Sequence, residues 1–205
     1  MKVILCDTDP ATLDAWRAEF TEHPDVEIRP SSVLEIEAGA VVHFGNAFGF
    51  MDGGLSLKWS ERFGFGFEDL VRKTVREKYG GEMLVGQAEA FQTGQKPPCF
   101  VYAPIVRTPQ KLKVSLNPYL AVRAALKAFR AQCLIHSPGE TAEGALAFPG
   151  PGTGPEEMHP RISARQFRYA YEEATGMRAA VDQNLSRLVR REKKLKSMPL
   201  SAEED

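Results

Sequence analysis

Two glycine-rich segments constrain this chain more than any other feature, because each follows a short run of residues apolar enough to be buried on both faces. Residues 40–44 (Ala-Val-Val-His-Phe) lead into Gly45-Asn46-Ala47-Phe48-Gly49-Phe50-Met51-Asp52-Gly53-Gly54. Residues 145–148 (Ala-Leu-Ala-Phe) lead into Pro149-Gly150-Pro151-Gly152-Thr153-Gly154. A strand buried on both faces belongs to a sheet covered by helices on both sides. In open sheets of that kind, ligands bind beyond the carboxyl ends of the strands. Glycines let the backbone come close to a ligand. Backbone N–H groups at a helix start or in a nest attract anions. Asn46 supplies both a donor and acceptors, which suits a sugar hydroxyl. Two such loops therefore predict a site for a phosphorylated, nucleotide-like ligand.

The rest of the chain supports an α/β architecture. Apolar runs predict strands over residues 1–6, 26–28, 40–44, 87–92, 100–106 and 145–148. Helices are expected over 11–22, 55–63, 68–78, 117–133 and 161–175, the first capped by Thr8 or Asp9 with Pro10 in its first turn. Strands alternating with helices imply a sheet with helices on both faces. Residues 1–176 read as one domain. Residues 177–205 read as a charged helical tail, basic at Arg187, Arg190, Arg191, Lys193, Lys194 and Lys196, with a thin stripe of Met177, Val181, Leu185, Leu188 and Val189. A stripe of this kind predicts a helix that folds back on the domain with its charges in solvent. The net charge of −1 argues against a general nucleic-acid binder. Cys6, Cys99 and Cys133 show no CxxC spacing, and the expectation is three reduced, mostly buried thiols. Asp7 and Asp9 interrupt the N-terminal apolar stretch, and no segment approaches the ~18 apolar residues of a membrane span. A cytoplasmic protein without membrane contact is expected.

The segment Ala40-Val41-Val42-His43-Phe44-Gly45-Asn46, followed by Met51-Asp52-Gly53-Gly54, resembles the first signature loop of macrodomains. The segment Leu146-Ala147-Phe148-Pro149-Gly150-Pro151-Gly152-Thr153-Gly154 resembles that family's diphosphate loop. Gly86-Gln87-Ala88 and Phe100-Val101-Tyr102-Ala103-Pro104 match its central strands in order. The resemblance covers residues 26–175 and leaves the first strand and helix as an extension of the sheet. It implies a three-layer α/β/α sandwich around a mixed, mostly parallel sheet. The implied ligand is ADP-ribose, free or attached to protein or nucleic acid, with no cofactor and no metal. Asn46 matches the asparagine at the distal ribose, and Gly53 and Gly54 the glycines beside that ribose and the phosphates. Gly152, Thr153 and Gly154 match the diphosphate loop, and Phe48 and Phe50 are placed to pack on the distal ribose.

Three departures bear on mechanism. The adenine-binding aspartate of the family is replaced here by Ser32. The aspartate that follows the glycine run in hydrolytic members is replaced by Ser56, and a neutral hydroxyl is a poor general base. The first asparagine of the signature is His43. Asp52 is the nearest remaining carboxylate and, with Asn46, the candidate catalytic group; a turn-stabilising role is the alternative for Asp52. Two functions follow from the resemblance: metal-free hydrolysis of ADP-ribosyl bonds, or non-catalytic reading of an ADP-ribose-like signal. Cys6-Asp7-Thr8-Asp9-Pro10 also allows a receiver-type signalling domain with an acidic pocket. A dinucleotide-binding redox fold is excluded by the missing Gly-x-Gly-x-x-Gly after the first strand.

Overall fold

A computed structural model of the chain describes residues 1–133, 145–179 and 184–198. Its strands are β1 (Val3–Cys6), β2 (Val26–Arg29), β3 (Ala40–Asn46), β4 (Glu89–Gln92), β5 (Cys99–Val106) and β6 (Leu146–Phe148). The helices are α1 (Pro10–Glu19), α2 (Gly54–Phe63), α3 (Gly66–Tyr79), α4 (Asn117–Ala128), α5 (Pro160–Thr175) and α6 (Leu185–Lys196). The strands form one sheet in the order β2-β1-β6-β3-β5-β4. All neighbours are parallel except the edge pair β4 and β5.

Alternation along the strands builds the two sides of the core. Val3, Leu5, Ala40, Val42, Val101, Leu146 and Phe148 point to one face, against side chains of α1, α4 and α5. Ile4, Cys6, Val41, Phe100, Tyr102 and Ala147 point to the other, against Trp59, Phe67, Val71 and Val75 of α2 and α3. Residues one apart in a strand face opposite ways, so both faces need apolar residues and both are covered. The result is the expected three-layer α/β/α sandwich with a mixed, mostly parallel sheet.

The first strand is not an addition at the sheet's edge. β1 lies between β2 and β6, with Val3 in register with both Val26 and Leu146, and all four of its residues are buried. Asp9 caps the helix that follows, accepting from Ala11 N–H, Thr12 N–H and the Thr12 hydroxyl. Glu19 at the end of α1 accepts from Arg168 Nε of α5 at 2.7 Å. Glu172 gathers Arg168, Arg178 and His23 around one carboxylate, which ties α5 to the α1–β2 turn.

Beyond residue 183 the chain returns onto the domain as α6. Leu195 is buried in the core beneath it, Gln166 Nε2 donates to Leu195 O at 3.0 Å, and Arg191 pairs with Glu173. The apolar stripe read from the sequence does not seat this helix. Leu185, Val189 and Met177 are exposed, Leu188 is half-buried, and Val181 lies outside the described residues. A single deep leucine and polar anchors replace the stripe. Among the described residues, no helix is long and apolar enough to cross a membrane.

The cysteine expectation needs one correction. Cys6 is a free, buried thiol, but Cys99 is disulfide-bonded. Disulfide formation is decided by the fold and not by local spacing, which is why the sequence did not show it; the side chain of Cys133 lies outside the described residues.

Candidate functional site

The carboxyl ends of β1, β3, β5 and β6 and the segments after them surround a cavity of about 470 Å³. That lies within the range of small-molecule sites, roughly 300–1,000 Å³. Cys6, Asp7 and Thr8 reach it from β1, and Ser32 and Val33 from the turn after β2. His43 to Asn46 line it from β3, and Val106 from the end of β5. Phe50 and Asp52 to Ser56 line it from the first glycine loop and the start of α2, and Pro149, Gly150, Gly152, Gly154, Pro155 and Glu156 from the second loop.

The first loop is held open by Asn46. Its Oδ1 accepts from Phe48 N–H at 3.0 Å and Phe50 N–H at 3.3 Å, and its Nδ2 donates to Phe50 O at 2.8 Å. One Nδ2 hydrogen has no partner among the described residues, so the side chain is committed first to shaping the loop. Beneath the loop, the buried Tyr102 hydroxyl donates to Asn46 O at 2.7 Å. The phenol passes so close to Gly45 that any side chain there would collide with it.

The loop ends at α2, whose N-cap is Gly53 in an extended conformation with no side-chain cap. The first N–H groups of a helix have no partner inside it. Among the described residues no acceptor faces the N–H groups of Gly54, Leu55 or Ser56. They border the cavity as unpaired donors.

The second loop makes the same offer by different means. Its carbonyls are tied away from the cavity: Pro151 O accepts from Ser163 Oγ, Gly152 O from Met158 N–H and Gly154 O from Glu157 N–H. No described residue accepts from the N–H groups of Gly152, Thr153 or Gly154. Gly152 has φ +72° and packs against Leu112, Ile105 and Met158, a combination of left-handed backbone and tight contact that suits glycine alone.

Of the residues singled out from the sequence, the fold brings Ser32, Asn46, Phe50, Asp52, Gly53, Gly54, Gly152 and Gly154 to this cavity. Phe48 and Thr153 are not in its lining. Phe48 is half-buried under the Arg107 guanidinium, 5.0 Å from the ring centre. The Thr153 hydroxyl turns back over Gly150. Phe50 sits at the rim, 41 % exposed, with Arg72 4.3 Å from its ring centre. Ser32 also caps the short turn Val33–Glu35 by accepting from Leu34 N–H. Asp52 is an exposed carboxylate beside the α2 N-terminus.

Two further features could not be assigned to the site from the sequence. Asp7 lies at the end of an interior strand, so it faces the cavity; one of its oxygens accepts from Asp9 N–H at 2.9 Å. His43 Nε2 lies 2.8 Å from Ser56 Oγ. His43 and Ser56 stand where the signature of the resembled family has other polar groups, but nothing in the sequence pairs them, and Asp7 has no such signal.

Burial sets the chemistry of the two most enclosed titratable groups in the lining. Desolvation pushes the Cys6 thiol up to about 12, so it is protonated and a poor nucleophile. Desolvation pulls His43 down to about 3 from an ordinary 6.5, so its ring is neutral. The unfolded chain takes up a proton on this residue below pH 6.5 that the folded chain refuses until about pH 3. His43 therefore removes stability progressively as pH falls through that window and has no effect above it. Urea midpoints are expected to drop between pH 7 and pH 4.5, and to drop less in His43→Gln. An equal drop in both proteins would show that the ring titrates normally.

The receiver reading does not survive the strand order. In a receiver-like 2-1-3-4-5 sheet, β3 adjoins β1; here β6 stands between them. Asp9 is committed to capping α1, and no group of three or more metal-ligating side chains forms among the described residues.

A mixed, mostly parallel sheet covered by helices on both faces, with a cavity of about 470 Å³ at its carboxyl end between two glycine loops, is the macrodomain class of fold, and solved structures agree. The macrodomain of Mycobacterium tuberculosis DarG superposes with a TM-score of 0.54 at 18 % identity, over 70 % of this chain and 87 % of that one. The macrodomain of Thermus aquaticus DarG gives 0.50 at 20 % identity, over 69 % and 87 %. Thermosipho africanus DarTG in complex with ADP-ribose gives 0.52 at 10 % identity, over 80 % of this chain and 50 % of that one. No family model and no curated protein matches the chain in sequence. The chain has a macrodomain fold, far diverged in sequence.

Proposed function

We propose that the cavity binds ADP-ribose, free or as the terminal group of a modified protein or nucleic acid. One observation carries the reading: two independent sets of unpaired N–H donors, at the start of α2 and in the loop after β6, belong to residues that line one cavity. Each is suited to an anion, and together they suit two linked phosphates. Ser32 and Asp7 at one end and Asn46 and Phe50 at the other offer polar and aromatic groups for a base and sugars on either side. The Thermosipho structure of the same fold, solved with ADP-ribose, supports the choice among phosphorylated ligands.

The proposed role is binding without hydrolysis. Ser56 stands where a base would be needed, and Asp52 is an exposed loop carboxylate that no described residue holds in place to orient a water. Titration calorimetry on the full chain is expected to show ADP-ribose binding, with AMP at least about tenfold weaker because it lacks the second phosphate and the distal ribose. No heat with millimolar ADP-ribose would sink the proposal. Release of ADP-ribose from mono-ADP-ribosylated protein or DNA would move the protein to the hydrolase reading.

A further inference from the structure

His43 and Ser56, thirteen residues apart, meet through a 2.8 Å contact between Nε2 and Oγ. The imidazole is 1 % exposed, stacked on Phe100 and tilted against Tyr102. Its other nitrogen, Nδ1, is buried and meets no hydrogen-bond partner. The ring is neutral, so a single hydrogen must sit on one nitrogen or the other.

That choice decides what Ser56 does. A hydrogen on Nδ1 would be a buried donor with no acceptor, and orphaned buried N–H groups are rare in folded proteins. A hydrogen on Nε2 leaves only a bare lone pair at Nδ1 and forms a bond to Ser56 Oγ. The second tautomer is the better satisfied. Ser56 then accepts from His43, and its own hydroxyl hydrogen is left to be donated elsewhere. Ser56 lies in the first turn of α2, in the cavity lining with Gly54 and Leu55, whose N–H groups are also unpaired.

We propose that Ser56 is a fixed hydrogen-bond donor to a phosphoryl oxygen of the bound ligand, with His43 as the residue that positions it. The proposal rests on reading the cavity as an ADP-ribose site. It assigns the pair a chemistry opposite to that of a carboxylate at the same place. A carboxylate there would accept a proton from water and repel a phosphate. The Ser56 hydroxyl attracts the phosphate and, being neutral and already accepting from His43, is a poor base toward water.

The test combines ADP-ribose titrations with nitrogen NMR of the histidine rings in the full-length protein. Ser56→Ala is expected to weaken binding about tenfold, as loss of a hydrogen bond to a charged group does. Ser56→Asp should weaken it further, and Ser56→Thr should stay close to wild type. His43→Phe should weaken binding about as much as Ser56→Ala, with no added loss in the double variant. His43→Gln, which keeps a donor, should recover part of the affinity. In the unliganded wild type, the His43 spectrum should show hydrogen on Nε2 and none on Nδ1 from pH 5 to 9. Hydrogen on Nδ1 overturns the assignment even if His43→Phe does not fold. Unchanged affinity in Ser56→Ala overturns it while leaving ADP-ribose binding intact. A wild type that binds no ADP-ribose overturns the reading of the cavity and with it the ligand half of this proposal, whereas the tautomer measurement still judges the pair itself.

Discussion

Gly45→Ala is expected to lower the melting temperature by about 6–12 °C, the largest stability loss at any position of the site. A methyl group there would stand 2.3 Å from the Tyr102 hydroxyl oxygen, 2.5 Å from Cζ and 2.7 Å from Cε2. None of these atoms can yield easily. The Tyr102 ring is fully buried between β5 and the helices packed on that face of the sheet, and its hydroxyl donates to Asn46 O at 2.7 Å. Relief requires β3 and β5 to separate or the phenol to leave its pocket, and overpacking of this kind costs about 3 kcal/mol. At roughly 2–4 °C per kcal/mol for a chain of this size, a thermal melt will show it. Tyr102→Phe supplies the control. Alone it loses one hydrogen bond, about 1 kcal/mol, and combined with Gly45→Ala it should not rescue, because the ring carbons still clash. A Gly45→Ala protein that melts with wild type would mean that the strand ends are looser than the geometry requires. Then the loop shaped by Asn46 would not be held rigidly over Tyr102.

The same positions show what the sequence could reveal and what it could not. The layers were legible because runs such as Ala40-Val41-Val42 and Phe100-Val101-Tyr102 are apolar on both faces, a property of each strand by itself. The loops were legible because glycine clusters after buried strands have few other uses. Strand order is not a local property. The first strand therefore read as an extension, although it lies inside the sheet and delivers Asp7 to the cavity. Side-chain direction was equally hidden. Phe48 and Phe50 are two residues apart in one loop, but only Phe50 reaches the cavity, since Phe48 lies under Arg107. Asn46 lines the cavity, as the loop's position after β3 suggests, but its consumption by Phe48 and Phe50 backbone groups depends on a turn the sequence does not encode visibly. The partnership of His43 with Ser56 depends on α2 folding back over the end of β3, and neither residue signals it alone.

Gly53→Asp is expected to separate stability from binding, moving them in opposite directions. Gly53 caps α2 with φ −150° and ψ 156°, an extended conformation open to any residue, and an added Cβ would meet nothing within 4 Å. The helix has no side-chain cap. Aspartate is among the best N-cap residues, since its carboxylate accepts from the N–H groups of the first turn and complements the helix dipole. The variant should fold at least as well as wild type, with a gain of a few tenths of a kcal/mol. The groups that carboxylate would take, Leu55 N–H and Ser56 N–H, are those left open to the cavity. A fixed negative charge would sit where a phosphate is proposed to bind, and like-charge juxtaposition costs several kcal/mol. ADP-ribose affinity should fall about a hundredfold or more, read by calorimetry beside a melting curve that does not fall. Gly53→Asn distinguishes the two parts of the effect, since it occupies the same donors without the charge and should lose less. Unchanged affinity in Gly53→Asp would place the phosphates away from α2 and leave the loop after β6 as the sole anion seat. The missing cap is thus a trade: α2 lacks the side chain that would finish it, and the donors left open are the ones the proposed ligand would use.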